Sequence, residues 1–318
     1  MNAAGLIAQL LQVLAAVLLA PLLLGWVNQC RAWLQNRRAP PLLQPYRGLR
    51  KLFHKEVLLA EAATPLFRAA PYLVFAAMVL AAAIVPSLDT RLPLAIAADS
   101  IALVGLLATA RVFLSLAAMD IGTAFGGLGA RREMMIGFLA EPALLMVILV
   151  AALISQTTAL PAIAENLASR ALVLNPALAF TAVAFGMVLL AENARIPIDN
   201  PATHLELTMI HEALLLEYSA RHLALMEWAA ALKLFIYATI GFALFLPWGI
   251  AGTRSGPLAL AMAAPLLVLK LAAAGAGLAL VETLSAKLRV FRAPEYLATA
   301  FLLAVLGMLV QLLLGAPA

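Results

Sequence analysis

The chain has 318 residues, of which 65% are hydrophobic and only 12% charged, and its mean hydropathy is +1.01. A water-soluble protein of this length is excluded, because composition overrides the two-domain expectation that length alone would set. The net charge of +5 reports topology and lipid headgroups in such a chain rather than nucleic acid, which is excluded as a partner.

Runs of about 20 apolar residues match the hydrocarbon thickness of a bilayer. Proline, glycine and charge divide the sequence into eight of them: Ala4–Val27, Tyr72–Leu88, Ala95–Ala118, Met134–Ile154, Ala171–Ala191, Leu223–Trp248, Leu258–Val281 and Leu297–Leu314. The second span is short and can extend back toward Phe67. A β-barrel would need short alternating segments, whereas Ala143–Leu153 is continuously apolar. The expected fold is therefore an all-α polytopic membrane protein with about eight transmembrane helices, a single integral membrane domain over residues 1–318. Met1 to Gly5 lacks the basic region and cleavage signal of a secretory peptide, so the first span is expected to stay in place.

Loops after spans 1, 3, 5 and 7 hold fifteen Lys and Arg residues, among them Arg31, Arg37, Arg38, Arg50, Lys51, Arg131, Arg132, Arg195, Lys287 and Arg292, against Arg91, Arg170 and Arg254 in the opposite loops. That bias predicts a cytoplasmic location for loops 28–68, 119–133, 192–222 and 282–296, with both termini on the outer side. In the first of these, Leu49, Leu52 and Phe53 recur at helical spacing beside Arg50, Lys51 and Lys55. This predicts an amphipathic cytoplasmic helix lying in the interface or against a partner. Gly122 to Gly129 lacks the ending of a phosphate loop and reads as a tight turn with close backbone packing.

Ionisable groups inside a span cost at least about 2.5 kcal/mol and need a partner, a water-filled cavity or a function. Asp99 and Arg111 fall in span 3, Glu141 in span 4, Glu192 at the end of span 5, Glu227 and Lys233 in span 6, and Lys270 in span 7; Asp120 and Glu282 lie at span ends. Spacing allows Glu192 with Arg195, and Glu217 with Arg221, to pair on one helical face if the helix continues. Glu227 and Lys233, six apart, face different directions and need partners on other helices, as do Glu141 and Lys270. Single charges near a surface, such as Asp99 or Glu282, can snorkel. Interhelical salt bridges or a proton path both account for the set.

The loop after span 5 is the densest polar segment, with Arg195, Asp199, His204, Glu206, His211, Glu212 and Glu217. Pro197 and Pro201 oppose early helix formation, and Asp199 or Asn200 can cap the helix that follows. His204 and His211, seven apart, share a helical face. The H-E-x-x-H pattern of a zinc peptidase fails, because Ala213, Leu214 and Leu215 follow His211-Glu212. Cys30 is the only cysteine, so the chain cannot ligate an iron–sulfur cluster through four thiolates, and any redox centre is expected in a partner.

Several of these motifs are similar to one family. Arg31 to Arg38 followed by Leu43-Gln-Pro-Tyr46 and Leu49 to Glu56, and then Glu192, Arg195-Ile-Pro-Ile-Asp199 and Glu217-Tyr-Ser219, resemble the membrane subunit shared by complex I (its subunit 1) and the membrane-bound nickel–iron hydrogenases. Asp120 to Glu133, Glu141-Pro142 and Asn200 to Glu212 resemble the hydrogenase branch that includes formate hydrogenlyase subunit 4 and hydrogenase 4 component C. The resemblance implies a non-catalytic subunit of an oxidoreductase complex in a bacterial or archaeal cytoplasmic membrane, docking hydrogenase-like large and small subunits and linking them to antiporter-like subunits. Iron–sulfur clusters and a nickel–iron centre would belong to those partners, with no cofactor in this chain. It further implies a proton pathway through Glu141, Glu192, Glu217, Glu227, Lys233 and Lys270. Arg37, Arg38, Asp120, Arg195, Asp199, His204, Glu206, His211 and Glu212 would serve redox-arm docking or a quinone-like cavity. Two alternatives stay open: a quinone-site subunit of a complex I-type NADH dehydrogenase, and a stand-alone secondary transporter using Asp99, Arg111, Lys233 and Lys270.

Overall fold

The computed structural model describes residues 3–94, 99–169, 175–199, 210–252 and 257–314. Eleven α-helices appear there: α1 Ala3–Leu34, α2 Gln44–Phe53, α3 Pro65–Ile84, α4 Ser100–Asp120, α5 Ala124–Ser155, α6 Leu160–Ser169, α7 Pro176–Glu192, α8 His211–Leu215, α9 Ala220–Phe245, α10 Pro257–Leu284 and α11 Ala293–Leu314. Seven of them (α1, α3, α4, α5, α9, α10 and α11) are long and apolar enough to cross a membrane, and the apolar α7 adds a shorter eighth of 17 residues. This is a polytopic all-α membrane protein. Among the described residues the only β feature is an isolated bridge between Asp89 and Ala251.

The spans begin and end where side chains satisfy the free backbone groups of helix termini. Thr64 caps α3, accepting from the Leu66 N–H, while the Asp120 carboxylate accepts from the Thr64 N–H at 2.9 Å and hydroxyl at 2.8 Å. Asp99 is not inside a span as the hydropathy reading places it: it is the N-cap of α4, accepting from Ile101 and Ala102 N–H groups. Thr123 and Asn175 cap α5 and α7 in the same way. The glycine-rich stretch corrects in detail. Gly122, at φ +76°, makes the turn, but the rest forms the first turns of α5, which starts ten residues before the predicted span. There a Cβ on Gly126 would lie 2.3 Å from the Ala118 carbonyl oxygen, and one on Gly129 2.8 Å from the Ala213 Cβ.

Helix α1 packs on α10, α9, α3 and α2; α9 on α3; α3 on α4; α4 on α5; and α11 on α7 and α5. The amphipathic α2 lies against α9 and α1 of the same chain, with Leu49 buried and Phe53 edge-on to Trp228. Indole N–H groups join helices across the bundle, Trp26 donating to the Ala272 carbonyl at 2.8 Å and Trp228 to that of Val17 at 3.0 Å. Leu10, Leu14, Leu269, Leu302 and Leu313 are exposed on α1, α10 and α11, as an apolar solvent requires.

Most predicted loops gather at one end of the bundle with α2 and α8. There Ser219 bonds the Leu58 N–H and carbonyl, Tyr218 stacks on Phe67 and donates to its carbonyl at 3.1 Å, and Leu288 N–H reaches the Pro197 carbonyl. At the opposite end two glutamines of α1 close off α3. The buried Gln12 amide donates to Ala82 and Val85 carbonyls and accepts from Ser87 and Leu88 N–H groups, and Gln9 joins Ala83 to Leu94. The short α6 was not expected from the sequence. Its Glu165 accepts from the Thr90 hydroxyl at 2.5 Å.

Candidate functional site

Arg111 points from α4 into the bundle, about 14 Å along the helix from Asp120. It is buried and paired with three carboxylates on two other helices: Glu133 of α5 at 3.4 Å, Glu141 of α5, and Glu192 at the end of α7. Lys233 of α9 pairs with the other Glu192 oxygen at 2.8 Å. The guanidinium fits because residue 137 is glycine; a Cβ there would sit 2.3 Å from the Arg111 Nη1. Three carboxylates thus share two cations in an apolar bundle. Without Arg111 only Lys233 would offset their charges in a low-dielectric site.

Beside this cluster is a cavity of about 460 Å³ lined by Glu192, Arg195, Asp199, His211, Glu212, Glu227 and Lys233 on its polar side, and by Leu24, Leu215, Leu216, Leu223 and Leu234 on its apolar side. A second cavity of about 40 Å³, lined by Arg111, Glu133, His211 and Lys233 among apolar residues, lies on the far side of His211. Glu227 has no ion pair among the described residues. The larger cavity is walled by the loop that follows α7. Arg195 donates to Glu282 at 3.1 Å, which Arg31 also approaches at 3.6 Å; Lys287 bonds Asp199 at 2.9 Å. The other Asp199 oxygen accepts from the Ile210 and His211 N–H groups at the start of α8; the N-cap position itself is Ile210, so Asp199 reaches this helix end from a distance in the chain and not as the local cap expected. Burial pushes the Arg195 guanidinium below its usual value, against the pull of Glu282, and pushes the Tyr218 phenol up.

The structure brings together Glu141, Glu192, Lys233, Arg195, Asp199, His211, Glu212 and Glu227, and separates others. Helix α7 ends at Glu192, so Glu192 and Arg195 do not pair on one face; each takes a partner on another helix. The chain likewise turns between α8 and α9, and Glu217 and Arg221 form no ion pair among the described residues. Glu217 lines neither cavity. Lys270 is remote from the cluster, donating to the Leu246 and Trp248 carbonyls at 2.5 and 2.6 Å. Glu282 is buried and paired rather than snorkelling. Asp120 serves the α3 cap, while Arg37 and Arg38 are exposed at the basic end. His204 and Glu206 lie outside the described residues. Sequence reasoning missed Glu133, because one carboxylate near Arg131 and Arg132 reads as part of a solvated run; its only signal was its position eight residues before Glu141. Among the described residues no group of His, Cys, Asp or Glu could hold a metal ion.

A family model described as NADH dehydrogenase matches residues 7–313. Hydrogenase-4 component C of Escherichia coli K12 is 36% identical over 243 residues, 76% of each chain. Formate hydrogenlyase subunit 4 of the same organism is 32% identical over 287 residues, 90% of this chain and 92% of the relative. The fold is shared with a chain in the structure of the membrane-bound sulfane sulfur reductase, an archaeal respiratory membrane complex: TM-score 0.81, 20% identity, 96% of this chain and 99% of that chain.

Proposed function

Because the chain belongs to the NADH dehydrogenase family, we propose that it is the membrane-anchoring, proton-translocation-coupling subunit of a group 4 nickel–iron hydrogenase-like complex of formate hydrogenlyase or hydrogenase-4 type. The observation that carries this reading is the cluster of Arg111, Glu133, Glu141, Glu192 and Lys233 buried against the larger cavity. With one more carboxylate than cation, the cluster can accept a proton by neutralising charge instead of adding it. Glu227 and Glu212 line the same cavity.

In this reading the end bearing Arg37, Arg38 and α2 faces the cytoplasm of a bacterial or archaeal cell and docks large and small subunits that carry the iron–sulfur clusters and a nickel–iron centre. Antiporter-like subunits receive the displaced charge along the bundle side, and both termini lie on the outer side. The test is proton transport by the assembled complex in inverted membrane vesicles, driven through its redox arm by reduced methyl viologen. Glu192→Gln should remove most of the transport while dye oxidation continues. Unchanged transport in Glu192→Gln and Glu141→Gln would refute the coupling role.

A quinone is the second reading, supported by the pairing of a leucine wall with a polar wall in one cavity of ligand size. Saturable inhibition of dye-driven turnover by a quinone analogue, lost when Leu223 is enlarged to Trp, would favour it. Substrate uptake by the chain reconstituted alone would instead support a secondary transporter.

A further inference from the structure

Four residues separate the larger cavity from the smaller one: His211, Leu215, Ala230 and Lys233 line both. Leu215 and Ala230 carry no proton, and Lys233 is held by Glu192 at 2.8 Å. Glu133 lines only the smaller cavity, with Arg111 as its ion partner. We infer that His211 is a proton relay through this partition, passing protons between the carboxylates of the larger cavity and Glu133 in the smaller one. The inference rests on the proton-coupling reading above and adds a branch to it, since Glu192 already faces the larger cavity directly.

The geometry fixes the histidine for this task. Asp199 accepts from the backbone N–H groups of Ile210 and His211 and is itself held by Lys287, so the first turn of α8 cannot rotate freely. Gly129 admits Ala213 of α8 against α5, since any Cβ there would meet the Ala213 Cβ at 2.8 Å. Charged groups face the imidazole from every side: Glu133 from α5, Arg111 from α4, Lys233 from α9, Asp199 from the loop and Glu212 from α8 itself. Burial disfavours the imidazolium, with Glu133 acting in the other direction; the resting ring is neutral, and the charged form is a transient.

The transfer balances as two proton exchanges. A carboxylic acid of Glu212 or Glu227 gives its proton, directly or through water, to the unprotonated ring nitrogen of His211, breaking an O–H bond and forming an N–H bond. The imidazolium then releases the proton on its other nitrogen to the Glu133 carboxylate. The ring is left as the opposite neutral tautomer, and exchange with cavity water restores the first.

The same vesicle assay, with reduced methyl viologen and the whole complex, tests this. His211→Gln and Glu133→Gln should each remove the part of the protons moved per electron that this branch carries, with the double variant no worse than either single one. His211→Ala, a smaller side chain facing the larger cavity, should regain transport when imidazole is added, which a purely structural role would not produce. Wild-type transport in both His211→Gln and Glu133→Gln, together with loss of transport in Glu192→Gln, would overturn the relay and leave the coupling reading standing. Loss of transport in His211→Ala with no response to imidazole would also overturn the relay. Wild-type transport in Glu192→Gln as well would overturn both.

Discussion

From the basic end into the middle of the bundle, ionisable side chains bind one another across α1, α4, α5, α7, α9 and α10. At the opposite end Gln9, Gln12 and Lys270 bind mostly backbone, and the ion pair of Asp89 with Arg91 is local to a turn. Both devices satisfy polar groups in an apolar environment, yet they respond differently to a proton. An amide on a carbonyl is indifferent to pH, whereas a network of carboxylates and cations changes charge with each proton bound. The division places the interlocked carboxylates and cations beside the larger cavity and mostly side-chain bonds to backbone at the far end.

Four perturbations sharpen or break that contrast. Arg111→Met should cost the most, about 3–5 kcal/mol, because it leaves three carboxylates with Lys233 alone; the subunit should fail to accumulate in membranes, and adding Glu192→Gln should recover part of the loss. If the double variant is no better than the single one, the charges are not coupled as described. Gln12→Leu should cost about 3 kcal/mol by leaving two carbonyls and two N–H groups at the end of α3 unpaired. Its loss of thermal stability in detergent should be the same at pH 6 and pH 8, in contrast to variants at the basic end. Gly137→Ala should cost about 1–3 kcal/mol by pressing a methyl group into the Arg111 guanidinium, read as a lowered unfolding temperature in detergent.

The smallest effect concerns His211. Burial holds it below its ordinary value near 6.5, so the unfolded chain binds a proton that the folded chain does not. Its contribution to stability is therefore fully present above 6.5 and is lost as pH falls from there toward the depressed folded value. A melt series from pH 7.5 to 5 should show a downward slope that His211→Gln flattens; equal slopes would break the assignment.

The spans were legible because apolar runs of bilayer length have few alternative uses, and most boundaries lie close to Pro, Thr, Asp or Asn residues that cap in the structure. The charges inside the spans were legible as a set, since each is expensive where it stands. Their pairing was not. Glu192 reads as a partner for Arg195 three residues on, but the helix ends between them and both turn to other helices, which no local spacing encodes. Gln9 and Gln12 went unremarked because a glutamine within an apolar run carries no charge to flag it, although its amide can close a helix end as well as any capping residue. Glu133 was hidden by the arginines beside it, which suggested solvent where the structure has the wall of a cavity.

Helices α10 and α11 follow one another in the chain but lie apart, the first on α1 and the second on α5 and α7. They do not pack as a hairpin; the partners of α11 lie more than a hundred residues earlier in the chain. The segment that joins the two helices is also the one whose Lys287 and Leu288 fasten Asp199 and Pro197. The wall of the larger cavity at Asp199 is thereby tied to the seating of α11: a change that unseats α11 from α5 and α7 should also loosen the Lys287 and Leu288 contacts.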